Sequence, residues 1–420
     1  MAGGSGFACS HRHRPDHRWR REYMTTASET GVPRTAARAR DMAAAITLLA
    51  VAMAIIVTSE FIAVGLLPAM ARDLQISLSE AGRFVAWFAI SAAVLGPLLT
   101  IVAGRREPRF VIILTLIVYA FGNLVIAWVP DDRIIVLVRV IQGAMLPVFI
   151  SVGNAAVARL AGAGREGKAI SLVNIGTITA IVFAVPAGTA LADRTGWPFC
   201  FLLLAGLAIV AAIVTGMRFP RLDGGKPVSA RAQVALLASP AFLAHLLLST
   251  VLFTAMFSAY TYLAGFLQSA AGFDGAQTAI ALFGFGAAGL FGNLVAGWAV
   301  DRAMMMATMG LVALLALTNA MVSLTGGQLA WLVPLLAIWG VAHGAAFVLC
   351  QVRVMRAGVD APAFALSLNI AVCNLGIALG ALVGGWVVAD YGVTAIGYGG
   401  AAFALLALAV TVTIGMTRRL

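Results

Sequence analysis

Glu60 stands in the run VTSEFIAVGLLP, residues 57–68, and Arg139 in IIVLVRVIQGAML, residues 134–146; each is the one charged group in its stretch. His343 is placed in the same way in WGVAHGAAF. A lone carboxyl, guanidinium or imidazole among apolar residues can pair, donate a hydrogen bond or carry a proton. None of them falls in a catalytic signature. The chain carries no Walker loop, no metal-ligand cluster and no Ser-His-Asp set, so ATP drive and hydrolysis are unsupported and no metal or cofactor is expected. Cys9, Cys200, Cys350 and Cys373 lack CxxC spacing and read as small apolar packers. The sequence does not read as an enzyme.

The elements that hold these groups follow from composition. The 420 residues are 61% apolar and 11% charged, against about a quarter charged in soluble domains. Uncharged runs such as FVIILTLIVYAFGNLVIAWV reach the roughly 20 residues that a helix needs to cross the hydrocarbon core. They do not alternate, which excludes a membrane barrel. An all-α membrane protein is expected. Charges, Pro and Gly divide it into twelve spans, at 43–67, 80–103, 110–129, 134–157, 169–191, 199–219, 241–265, 277–300, 304–325, 330–352, 363–388 and 393–416.

A net charge of +11 would suggest nucleic acid in a soluble protein. Here the positive charge follows topology. With both termini cytoplasmic, 23 of the 28 Lys and Arg fall on the cytoplasmic side, including Arg353 and Arg356 in the connection after span 10, and four fall outside; short loops show that bias. Residues 1–41 read as a disordered basic tail, with Met24 as an alternative start. A six-helix bundle at 42–219, a cytoplasmic linker at 220–240 and a second bundle at 241–420 follow. The two bundles repeat. Arg105 and Arg302, Gly188 and Gly385, and Asp193 and Asp390 are each 197 positions apart. Parallel repeats of this kind are related by an axis along the membrane normal.

Span 1 runs outward and span 4 inward, so at 1.5 Å per residue Glu60 and Arg139 fall at nearly one depth. Opposite charges isolated in the membrane should meet, because each alone costs about 3 kcal/mol or more. If conformation or substrate alters their separation, the proton affinity of Glu60 changes with it, and linkage makes that coupling reciprocal. The competing reading is a static ion pair that pins span 1 to span 4. Polar residues mark cavity candidates: Asn123, Gln142, Asn174, Tyr260, His343, Asn369 and Asn374, beside Asn154, Thr177, Tyr262, Asn293 and Asn319. Hydrogen bonding between helices is the plainer role for any one of them, and Tyr260 and Tyr262 also suit an interfacial aromatic belt. His343 suits either a solute hydrogen bond or a structural one. Gly96 and Pro97 in span 2, and Pro186 and Gly188 in span 5, suit bends and sliding surfaces.

The stretches TSEFIAVGLLPAMARDL, RVIQGAMLPVF, AVPAGTALAD, GNLVAGWAVDR and NIAVCNLGIALGALVGGW resemble the major facilitator superfamily, over residues 42 to 418. Within it the chain is most similar to the drug:proton antiporter group, in the sugar-efflux and arabinose-efflux branch. The resemblance implies a multi-pass transporter in the bacterial inner membrane, with a lipid bilayer, a small-molecule substrate and protons as partners, and a monomer. Arg139 and Gly143 match the family's span-4 motif Arg-x-x-x-Gly, which implies a role in proton coupling for Arg139. Arg105, Asp301 and Arg302 match the basic loop motifs after spans 2 and 8, which implies gating. Gly104 replaces the usual Asp of the first copy, and Val185 replaces the Gly before Pro186 in the span-5 antiporter motif. The implied function is proton-coupled efflux of sugars, nucleosides or drugs by alternating access; the alternative is an uncoupled facilitator or importer.

Overall fold

The computed structural model describes residues 32–162, 164–224, 236–326, 328–359 and 362–417, with side chains from 42 onward except at 301, 362, 363 and 417. Most of the basic tail, most of the expected linker and the Asp301 side chain lie outside these. No strand occurs among the described residues. Among the described residues twelve helices are long and apolar enough to cross a membrane. Spans 1 to 6 are Met42–Asp73, Leu78–Ala103, Pro108–Trp128, Asp132–Ala161, Glu166–Thr195 and Trp197–Arg218. Spans 7 to 12 are Pro240–Ser269, Gly275–Val300, Arg302–Thr325, Leu329–Ala357, Phe364–Tyr391 and Val393–Met416.

Short polar signals set where each helix starts. Ser77 accepts from the Glu80 amide at 3.1 Å while Glu80 accepts from the Ser77 amide at 3.0 Å, a capping box that opens span 2. Asp131 accepts from the amides of Arg133 and Ile134, both at 3.0 Å, and so fixes the register in which Arg139 follows eight residues later. Asp274 and Gln277 form a second box at the start of span 8. Span 7 is broken: one helix ends at Tyr260 and the next begins at Leu263. Span 10 continues to Ala357, so Arg353 lies inside the helix and is fully buried. It does not belong to the connection in which its charge suggested it would lie.

Within the first six spans the main pairings are 1 with 5, 2 with 4 and 3 with 6. Spans 7 with 11 and 8 with 10 repeat the pattern, and Gly397 of span 12 packs on Asn319 of span 9. The repeat reaches individual contacts. A Cβ at Gly143 would overlap the backbone carbonyl of Phe88, and a Cβ at Gly340 would lie 2.5 Å from the carbonyl of Phe285. Both members of that pair are shifted by 197 residues. Only glycine permits backbones to approach so closely. Spans 2 with 11 and 5 with 8 join the two sets.

Candidate functional site

Arg139 is 1% exposed in the middle of the first six helices. Its Nη1 donates to the carbonyl of Ser59 at 2.7 Å, its Nη2 to the carbonyl of Glu60 at 2.9 Å and its Nε to the carbonyl of Phe84 at 3.2 Å. Its Cζ lies 4.4 Å over the ring of Phe88. The expected side-chain ion pair with Glu60 does not form. A guanidinium has five donors in a fixed fork, and helix carbonyls of spans 1 and 2 take three of them without a carboxylate. Glu60 is 8% exposed, and among the described residues its carboxyl has no hydrogen-bond or ion-pair partner. The two groups share a place, but the arginine grips the backbone and leaves the acid unclaimed.

A polar knot lies beside them. Ser59 Oγ and Gln142 Nε2 both donate to Asn123 Oδ1 at 2.9 Å, and the Tyr119 hydroxyl donates to the Gln142 carbonyl at 3.0 Å. Asn123 and Gln142 are fully buried and tie spans 1, 3 and 4 together, with Asn123 Nδ2 and Gln142 Oε1 left without a partner among the described residues. Asn374 donates to the carbonyl of Ile370 in its own helix at 3.0 Å, and Asn369 is 1% exposed. Asn174 is exposed on span 5. The cavity candidates are therefore scattered; the structure brings together Asn123 with Gln142 in the knot, and His343 with Tyr260, whose rings lie 5.0 Å apart.

The contacts that join the two sets of helices lie toward the face on which span 2 begins and span 7 ends. Ser79 of span 2 donates to the carbonyl of Gly385 in span 11 at 2.7 Å, while the hydroxyl of Tyr262, which donates at 2.7 Å to the carbonyl of Ala381 within the second set, rests against Gly82 of span 2. That hydroxyl sits where a Cβ on Gly82 would be, so Gly82 has to be glycine for the closure to form. Tyr262 is 1% exposed. It is a buried latch and not part of a lipid-facing belt. On the opposite face a cavity of about 730 Å³ opens between the starts of spans 1 and 5, lined by Met42, Ile46, Ala50, Arg165, Lys168 and Thr179 among others.

The remaining motif residues sit on helix crossings and ends. A Cβ on Gly96 would be 2.5 Å from the ring of Pro147, so spans 2 and 4 meet closely there, with Pro97 beside it in span 2. Pro186 is buried inside span 5, and Gly188 faces Ile62 of span 1. Arg105 is exposed at the end of span 2. Arg302 turns back on its own helix, donating to the Trp298 carbonyl at 3.2 Å with its Cζ 4.3 Å over the Trp298 ring.

Twelve membrane-spanning helices, an internal repeat, a closure on one face and a cavity on the other define a membrane transporter. The chain belongs to the Major Facilitator Superfamily, whose family model matches residues 49–362. It is 30% identical over 331 residues to the inner membrane transport protein YdhP of Escherichia coli, covering 79% of this chain and 85% of that protein. It is 29% identical over 377 residues to YtbD of Bacillus subtilis, an uncharacterized MFS-type transporter, covering 88% and 92%. Among solved structures, a bacterial homolog of the human lysosomal transporter Spinster, in an inward-facing and occupied conformation, superposes with a TM-score of 0.72 at 14% identity over 89% of this chain and 96% of that one. The nucleoside transporter NupG superposes with a TM-score of 0.70 at 16% identity, over 89% and 99%. Like its named relatives the chain is a transport protein and not an enzyme.

Proposed function

We propose that the protein exports small solutes in exchange for protons, with residues 42–219 and 241–420 rocking about a central path. Glu60 carries the proton. The observation that supports this is a buried carboxyl in the middle of span 1 with no partner among the described residues, next to an arginine already satisfied by backbone. A carboxyl kept unpaired in a membrane is costly, and such residues mark proton relays. Arg139 is the fixed positive charge against which Glu60 gains and loses its proton. Tyr262, Ser79 and Gly82 close one side of the path, while Gly96, Gly143 and Gly188 provide the close crossings on which the helices shift.

The termini are placed on the cytoplasmic side by the charge bias, and the working unit is a monomer in the inner membrane. The rival is a passive facilitator, favoured by the fixed backbone grip on Arg139. Reconstituted vesicles with an internal pH dye separate the two. Addition of substrate should move protons in the coupled case, and Glu60→Gln should stop this while downhill exchange continues. Substrate flux with no proton movement in the unaltered protein refutes coupling.

A further inference from the structure

The last six helices hold a cluster of rings that the proton-handling residues do not use. His343 stands at the midpoint of span 10, fourteen residues from each end of Leu329–Ala357. Its ring centroid lies 5.0 Å from that of Tyr260, 5.4 Å from Phe285 and 5.6 Å from Phe257. Trp339, fully buried, backs Phe285 edge-on at 5.1 Å. The cluster touches the other set of helices at the level of Glu60: Phe61, the next residue along, lies 6.0 Å from Phe257. It therefore faces the seam that opens and closes as the two sets move.

Two polar atoms of this wall are unused: His343 Nδ1 and Trp339 Nε1 are buried with no hydrogen-bond partner among the described residues, and Trp339 stands behind Phe285. Desolvating such a nitrogen is unfavourable unless something bonds it. Sugar hydroxyls would find few partners here: Ser59 Oγ, Gln142 Nε2 and Asn123 Oδ1 are taken by one another, which leaves Asn123 Nδ2 and Gln142 Oε1. Each stranded hydroxyl would oppose binding. Flat rings suit the site better, since aromatic side chains stack on any π-face. The rings already touch one another, so a solute lies against the wall and not between its members.

We propose that this wall is the substrate platform and that it selects a planar, uncharged heteroaromatic solute, stacked on Tyr260, Phe257 and Phe285 and held at a ring nitrogen by His343 Nδ1. This rests on the transporter reading, but it is tested without proton flux. Titration calorimetry on the full-length protein in nanodiscs, at one pH, would compare quinoxaline with its nitrogen-free analogue naphthalene and with arabinose. Quinoxaline should bind saturably and more tightly than naphthalene. Tyr260→Leu and Phe285→Leu should each weaken it about tenfold, while Tyr260→Phe and Phe285→Tyr, which keep the ring, should leave it unchanged. His343→Phe keeps the stack and should erase the preference for quinoxaline over naphthalene. Proton movement is measured separately in the reconstituted vesicles, so quinoxaline binding without proton flux removes coupling alone and proton flux without quinoxaline binding removes the platform alone. Arabinose binding without quinoxaline binding, no quinoxaline binding at all, or affinities indifferent to these substitutions would overturn the proposal.

Discussion

Arg139 and Glu60 are neighbours that do not pair, and replacing each singly should give opposite signatures. Arg139→Lys exchanges three donor nitrogens, held at 2.7, 2.9 and 3.2 Å by carbonyls of two helices, for one ammonium. A hydrogen bond from a charged donor contributes about 1.5–3 kcal/mol. Losing two of the three therefore costs about 3 kcal/mol or more, and the lost contact with Phe88 adds about 0.5–1 kcal/mol. Glu60→Gln keeps size and shape at a carboxyl with no partner, so stability should stay within about 0.5 kcal/mol while uphill transport is lost. The double variant is the sharp test. Breaking a buried ion pair costs about 3–5 kcal/mol and would appear as coupling between the sites. Without a side-chain ion pair, the coupling should stay at the low end of the roughly 0.5–3 kcal/mol seen for neighbouring residues. Equilibrium unfolding in mixed micelles gives the energies, and a pH-jump transport assay gives the activities. A coupling of several kcal/mol, or an Arg139→Lys protein as stable as the original, would refute the backbone-clamp description.

Tyr262→Phe removes the hydroxyl hydrogen bond to Ala381 that holds the ring against Gly82, worth about 1 kcal/mol, and should loosen the closure, read as faster thiol labelling of a cysteine placed at Ser79. Gly82→Ala puts a methyl where that hydroxyl sits and should raise labelling further; unchanged labelling in both would remove Tyr262 from the closure. Asn123→Ala strands the Ser59 hydroxyl and the Gln142 amide at a cost of about 1–3 kcal/mol each, so unfolding should come earlier while relative substrate preference is kept. Gly143→Val drives two methyls into the Phe88 backbone and should yield no folded protein, scored by monodisperse recovery from membranes.

The twelve spans were legible because charges are so scarce that each cluster marks a helix end. The helix ends were less so. Arg353 was assigned to a connection on charge alone, yet QVRVMRA contains nothing that stops a helix and span 10 continues through it. The break at Thr261–Tyr262 has neither Pro nor Gly to announce it. Glu60 and Arg139 could be placed at one depth by counting residues, but the arginine's acceptors are backbone carbonyls, which every residue has and no pattern marks. Tyr262 was hidden for a related reason. Its partners are a carbonyl and the empty space at Gly82, which lies 180 residues away in the chain. The signal that could have found it is the glycine pair Gly384 and Gly385 on span 11, where a missing side chain leaves room for a ring.

The repeat separates what the fold requires from what the chemistry requires. Crossings of helices are kept across 197 residues, as Gly143 on Phe88 and Gly340 on Phe285 attest. The charges at helix ends are kept, as Arg105 with Arg302 and Asp193 with Asp390, but those inside the membrane are not: Phe257 stands at the position equivalent to Glu60, and Leu336 at that equivalent to Arg139. The same backbone site thus carries an acid in one set of helices and a member of the ring cluster in the other, and Phe61 against Phe257 brings the two sites together at 6.0 Å. An unpaired carboxyl sensitive to its surroundings and an aromatic wall meeting on a moving seam give a direct route for exchange. On the proposed exchange, a solute seated on the wall would change the separation of Phe61 and Phe257, and with it the surroundings in which Glu60 would hold its proton. Coupling then needs no chain of side chains between distant sites, only unequal descendants of one duplicated position.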